Sequence, residues 1–311
     1  NAYEDYVNER PSDPRQLQAV LNLGLALQAD GQHAQAAERF EELLRDHPKA
    51  QATYEALVPL AKSYMILGNN DAAKRTLLNV VQEHPAIRPE SSEYEEALVT
   101  LGKLYYQVDE FEDAIKWLDV ALQRYGQTAR GPSIRFLLAD AYRQSVAQLD
   151  RALQEPNSPS AKAALRTQRT DRLEKAGVLY SEVVNELQAR KMQLTPVEKL
   201  YFRNAYFYRG DCAYDLGQYE KAIGLYDLAA KAWETDPASM VALIQIVNAR
   251  CELGDIDGAR AANKRARWQL NRIPEGAFDD PNLPMTREQW QQWLKWTSEL
   301  NLFGQQASAS N

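Results

Sequence analysis

One spacing recurs along this chain and narrows what it can fold into. In "GDCAYDLGQYEKAIGLYDLAA", residues 210–230, Gly210 is followed seven positions later by Gly217. Ala222, Tyr226 and Ala229 then recur at steps of four and three. The same order appears at Gly24, Leu27, Gly31, Ala36, Phe40, Leu43 and Pro48, and again 37 residues on at Ala61, Tyr64, Gly68, Ala73, Leu77, Val80 and Pro85. Gly102, Tyr105, Asp109, Phe111, Ala114, Leu118 and Ala121 make a third copy. Val247, Arg250, Gly254, Ile256, Ala259, Asn263 and Ala266 make a weaker final one. A chain self-similar at such a period folds by stacking one small unit on the next.

Each copy reads as two helices joined by a tight turn. In the first helix, the small residue and the large one three later share a face. The Gly or Asp about seven residues after the small residue closes that helix, where left-handed geometry disfavours a bulky Cβ. In the second helix the Ala admits a close neighbour. The bulky residue four later is expected to fill the gap between repeats, and a following Pro to stop the helix.

This small-large-Gly-Ala-aromatic-Ala-Pro order resembles the tetratricopeptide repeat, and the match covers roughly residues 17–270. The resemblance implies an all-α fold, an α-solenoid wound as a right-handed superhelix of about six helix pairs. It also implies a non-enzymatic scaffold that takes a peptide or helix of a partner protein in the concave groove lined by its first helices.

The copies differ in instructive places. "FLLADAYR" (136–143) supplies Ala139 and Tyr142 in register, yet no Gly turn follows, and the helical pattern runs on to "EPNSPSA" (155–161). Ala176, Tyr180 and Val183 then resume the second-helix pattern, so this repeat is expected to carry a long helical hairpin insertion. Pro59 inside a first helix predicts a kink, or a helix that starts near Val58. "LTP" (194–196) and "TDP" (235–237) read as ordinary loops. Asp13 and Pro14 read as N-cap and first helical residue. Near the other end, Thr286 and Gln289 form a capping-box pattern ahead of Trp290, Trp293, Leu294 and Trp296. Such a Trp-rich helix suits a C-terminal cap over the last repeat. The expected organisation is a lead-in at 1–16, repeats one to three at 17–131, the split repeat at 132–195, repeats five and six at 196–273, connector and capping helix at 274–303, and a disordered tail at 304–311.

Little chemistry competes with this reading. There is no Gly-rich phosphate loop, no Ser-His-Asp ordering, and no ligand spacing among His33, His47 and His84. "GDIDG" (254–258) lacks the later ligands of a calcium loop. No enzyme activity, cofactor or metal is expected. Cys212 and Cys251 are expected to be buried free thiols, since two cysteines cannot scaffold 311 residues. A net charge of −7 offers no basic field for nucleic acid, and no apolar run is long enough to insert in a membrane. The chain opens with Asn, which reads as a processed or trimmed product. Its Gln- and Ala-rich, loosely conforming repeats have a bacterial, envelope-associated flavour that leans towards the periplasm, with the cytoplasm as the alternative.

The concave groove that the resemblance implies would be lined one residue after each small position, by Leu25, Lys62, Lys103, Asp140, Asp211 and Asn248. One turn to either side lie Phe136, Phe207, Met65, Tyr106, Arg143 and Tyr214. A floor of aromatic anchors with a charge stripe, basic in copies two and three and acidic later, suits an amphipathic helix or extended peptide. Lys62 and Lys103 mimic part of the clamp by which tetratricopeptide co-chaperones grip a C-terminal carboxylate, but Val58 and Val99 stand where that clamp needs polar groups. The hairpin's basic stripe, including Arg166, Arg169 and Arg172, is a secondary docking candidate for an acidic partner. Two other roles stay open: a structural subunit of a self-associating assembly, hence a homo-oligomer, and the regulatory segment of a larger enzyme.

Overall fold

A computed structural model describes residues 15–84, 86–280 and 283–299. The readings at Asp13, Pro14, Pro85 and the 304–311 tail lie outside these residues. The helices come in pairs. α1 (Gln16–Ala29) precedes α2 (His33–Asp46), and α3 (Gln51–Ile66) precedes α4 (Asn70–Leu78), which widens into an i→i+5 turn over Asn79–Glu83. α5 (Ser92–Gln107) and α6 (Phe111–Tyr125) follow, then the long pair α7 (Gly131–Gln154) and α8 (Pro159–Ala189). α9 (Pro196–Asp215) pairs with α10 (Tyr219–Ala232), α11 (Ala238–Glu252) with α12 (Ile256–Leu270), and α13 (Arg287–Glu299) stands last. The described residues contain no strand. Packing divides the chain into two compact units, Asn1–Ala141 and Tyr142–Asn311. In the first, α1 packs on α3 and α3 on α5, and each of α1 to α5 also packs on the helix that follows it.

The turns follow from the spacing. Gly31, Gly68, Gly217 and Gly254 sit at φ between 71° and 78°, and Asp109 at 59° is the one non-Gly residue with positive φ among the described residues. At each, the next residue's N–H reaches back to the carbonyl five before it: Gln32 to Leu27 at 2.8 Å, Asn69 to Tyr64 at 2.8 Å, Glu110 to Tyr105 at 3.0 Å, Gln218 to Ala213 at 2.9 Å and Asp255 to Arg250 at 2.9 Å. This left-handed closure satisfies carbonyls that a helix end would otherwise leave unpaired.

The small residue of the first helix and the bulky residue of the second meet within one pair. A Cβ on Gly102 would lie 2.6 Å from Leu118 Cγ, one on Gly210 would lie 2.6 Å from Tyr226 Cε1, and one on Gly24 would collide with the Phe40 ring. The bulky residue therefore sits first on its own repeat's glycine, a contact additional to the expected filling of the gap to the next repeat. Phe40 does both: it is fully buried in a cluster that also holds Ala52, Ala56 and Leu60 of the following pair. Burying such a side chain stabilises by about 1.5–3 kcal/mol.

Pro59 does not start a helix. α3 runs through it from Gln51 to Ile66, and Gln28 Nε2 donates to the Pro59 carbonyl at 2.8 Å and to Ser63 Oγ at 2.9 Å. "LTP" is also more than a loop, since Thr195 and Glu198 form a capping box with Pro196 in the first turn of α9. The long hairpin forms as expected, its second helix opened by Ser158, whose hydroxyl accepts from Ala161 N, and by Pro159. Ala176, Tyr180 and Val183 are fully buried.

The last helix caps the second unit. Thr286 N donates to Gln289 Oε1 at 2.8 Å and Gln289 N to Thr286 Oγ1 at 3.3 Å. Trp290 and Leu294 then enter the same core as Leu243, Val247 and Leu270. Asn263, at the slot that holds an aromatic or Leu in most other pairs, donates to Thr297 Oγ1 at 2.9 Å in a buried contact. Among the described residues no helix is long and apolar enough to cross a membrane.

Candidate partner-binding faces

Each first helix buries the face that holds its small residue, and the next position is exposed or half-buried in every pair except at Asp140. Leu25 (38% exposed) and Lys103 show this most clearly, and Met65, Tyr106, Tyr214 and Asn248 are half-buried. The charges around them are largely answered from within the chain. Lys62 pairs with Glu96, whose carboxylate also lies 3.8 Å from Arg130. Tyr106 donates to Asp140 Oδ2 at 2.5 Å. Both reach 34 residues along, one repeat, so two of the four charges in the predicted basic-to-acidic stripe, Lys62 and Asp140, are tied up between neighbouring first helices. Lys103 has no ion-pair partner among the described residues and stands exposed.

In the second unit Arg143 Nε donates to Tyr180 Oη at 3.2 Å, and its guanidinium stacks 4.1 Å from the Tyr208 ring centroid. Asp211 accepts from Tyr226 Oη at 2.7 Å. Burial pushes its carboxyl above the usual range, while that hydrogen bond and the nearby Arg143 oppose the rise. Tyr226 is pushed up by burial and by the same carboxylate. Tyr214 packs edge-on against Tyr219 at 5.3 Å, and Asn248 Nδ2 donates to Gln245 Oε1 at 2.8 Å.

Four predicted contacts are overturned by burial. Phe136 (5% exposed) and Phe207 (8%) are core residues rather than open anchors, and Phe207 packs against Trp233. Asp140 is buried beneath Tyr106. Arg172 is only 4% exposed, because it lies on the face of α8 that also buries Leu173 and Ala176, so it is no docking group. Arg169 is spent on a brace: its Nε meets Asp150 Oδ1 at 2.7 Å and its Nη1 the Asp215 carbonyl at 2.8 Å. Arg166 alone of the three is exposed. Neither cysteine is in a disulfide: Cys212 is buried, whereas Cys251 is half-exposed, with burial and Glu252 raising its thiol pKa. Among the described residues no His, Cys, Asp and Glu side chains gather into a metal-binding group.

One residue with unusual surroundings escaped the sequence reading. Arg209 is 9% exposed, stacks over Tyr206 at 4.5 Å, and has Nε and Nη2 buried without a hydrogen-bond partner. Burial lowers its proton affinity. The signal was in its register, since it occupies a slot that is aliphatic in every other pair.

A tetratricopeptide repeat family model matches residues 58–129 and 188–237, and a second model of the same repeat matches 18–50. No curated protein matches the sequence. Among solved structures, the chain is similar to the MamA protein, at 18% identity over 72% of this chain and 94% of that one, with a TM-score of 0.51. It is also similar to BtubC (BKLC) from P. vanneervenii, at 17% identity over 82% and 94%, again with a TM-score of 0.51. At such identities these likenesses speak for the fold. Tetratricopeptide scaffolds generally mediate protein–protein interaction and are generally non-enzymatic. The chain, an α-solenoid of helix pairs with a long hairpin and a capping helix, belongs to the tetratricopeptide repeat family.

Proposed function

We propose that this chain is a non-enzymatic binding scaffold that receives a peptide or helix of a partner protein on the outward face of its first helices. The observation that carries the reading is the repeated register. At the same step after each small residue, α1 and α5 of the first unit present Leu25 and Lys103 to solvent, where Met65 and Tyr106 are half-open, and in the second unit Tyr214 and Asn248 are half-open on α9 and α11. Half-buried aromatic and Met side chains held by rigid helices suit a partner's apolar residues, since little side-chain freedom is left to lose. Lys103, unpaired, supplies the charge that would orient such a segment.

The test is recovery of partners from a lysate of the source cells by the intact chain, by Lys103→Glu and by Met65→Ala, with helicity checked by circular dichroism. The expected result is loss of the same partners from both variants at unchanged helicity. Undiminished recovery by both would remove the first-helix face from the hypothesis.

A further inference from the structure

The second unit contains a cavity of about 500 Å³ on the far side of α9 from Asp211 and Tyr214. Ser181, Gly177 and Val178 of α8, Arg209 and Ala213 of α9, and Leu225 of α10 line it. Comparison with the other pairs explains why it is there. The residue before the small position is Leu23, Leu60, Leu101, Leu138 or Ile246 elsewhere, each at most 4% exposed; here it is Arg209. The residue three after the small position is Leu27, Tyr64, Tyr105, Tyr142 or Arg250 elsewhere; here it is Ala213. In the first unit Tyr64 uses that slot to reach back to Glu41 of α2, donating at 2.6 Å. The equivalent couple here is Ala213 and Ser181, both short, and the space between them is open. A large side chain is missing from the slot, and beside it stands a guanidinium with two buried nitrogens unpartnered.

We propose that this cavity is a docking slot for a partner-protein segment that carries an aromatic side chain next to an Asp or Glu. The ring takes the volume that a tyrosine fills in three of the other pairs, between Ala213, Val178 and Leu225. The carboxylate accepts hydrogen bonds from Arg209, whose burial makes such a pairing more discriminating than one on the surface. A buried cation in an aliphatic slot is destabilising until an acceptor meets it, which favours an anionic occupant over a neutral one. Glu174, Glu182 and Lys221, which also line the cavity, are exposed, so solvent screens their charges. The slot is independent of the first-helix face, since it opens on the opposite side of α9.

The experiment titrates the full chain, by NMR, with acetyl-Ala-Glu-Phe-Ala-amide and its Gln counterpart. The Glu peptide is expected to bind at least about tenfold tighter. Arg209→Leu, which restores the residue of the other pairs, is expected to erase that preference. Ala213→Tyr is expected to abolish binding, with both variants as helical and at least as heat-stable as the parent. Lys103→Glu should leave the titration unchanged, so failure of the first-helix reading and failure of this one are told apart. Equal binding of both peptides, or binding unaffected by either slot variant, would overturn the proposal. So would 3-phenylpropionate binding as tightly as the Glu peptide, which assigns the slot to a small carboxylate. Self-association of the chain that Ala213→Tyr abolishes, without peptide binding, would assign it to a second copy.

Discussion

At the scale of single residues, the glycines of this chain do different jobs, and substitution separates them. Gly210 is a contact glycine: a Cβ there would meet the Tyr226 ring at 2.6 Å. Gly224, one turn into α10, has nothing within 4 Å. Gly210→Ala is expected to destabilise by about 1–3 kcal/mol through overpacking, whereas Gly224→Ala should stabilise by roughly 0.5–1 kcal/mol through helix propensity. Urea unfolding of the two variants checks both signs. His84 makes a second residue-scale case. Its Nδ1 accepts the N–H groups of Ala86 at 3.3 Å and Ile87 at 3.2 Å, and its ring meets Tyr54 edge-on at 4.8 Å. Protonation at Nδ1 removes that acceptor, and burial pushes the imidazole pKa below its ordinary 6.5. A depressed folded pKa means stability that is fully present above the unfolded value and lost as pH falls through the folded one. Melting temperature measured from pH 7.5 down to 5 should therefore fall less in His84→Asn than in the parent, because an amide oxygen accepts at both ends of the range. An equal fall in both would exclude the histidine as the cause.

At the scale of helices, α13 shows how a repeat stack is closed. An end repeat exposes the apolar side that its neighbours bury, and something must cover it. Here Trp290 (6% exposed) and Leu294 (1%) do so, while Trp296 at 55% stays outside. Trp290→Ala is expected to cost about 3–5 kcal/mol, and Trp296→Ala less than about 0.5 kcal/mol. Thermal unfolding of the two variants side by side decides it. A comparable loss from Trp296→Ala would mean that this tryptophan is covered in solution. The same helix explains the weak last copy of the repeat. Asn263 looked like a degenerate position, yet the cap brings Thr297 to it, and a buried amide with a partner is tolerated where an orphaned one is not. Arg267 adds a bond to the Leu294 carbonyl at 2.7 Å, fixing the cap near its C-terminal end.

At the scale of the whole molecule, many polar bridges span one repeat length. Lys62 reaches Glu96, Lys74 reaches Glu110, Tyr106 reaches Asp140, Gln28 reaches Ser63 and Asn263 reaches Thr297, separations of 34 to 36 residues. The repeat grid was legible in the chain because it is written in local terms. A left-handed turn needs Gly or Asp, a close helix approach needs Gly or Ala, and a bulky neighbour must stand a fixed number of residues on. Those demands act between residues near in sequence, so Gly31, Gly217 and even Asp109 announce them without coordinates. The fate of the charges was not legible, since pairing depends on which side chain of the next helix faces back. Lys62 and Asp140 look free in a list of groove positions and are occupied in space; Arg172 looks like part of a basic stripe and is buried beside Leu173. The slot at Arg209 lay between these cases: its register was on display, but only packing shows that Ala213 and Ser181 leave room beside it. The sequence alone thus determined the helix pairs, their turns and their cap, because those rest on backbone geometry and short-range sterics. Which side chains stay open to a partner was decided by the tertiary structure, because exposure and pairing are properties of helices brought together across a whole repeat.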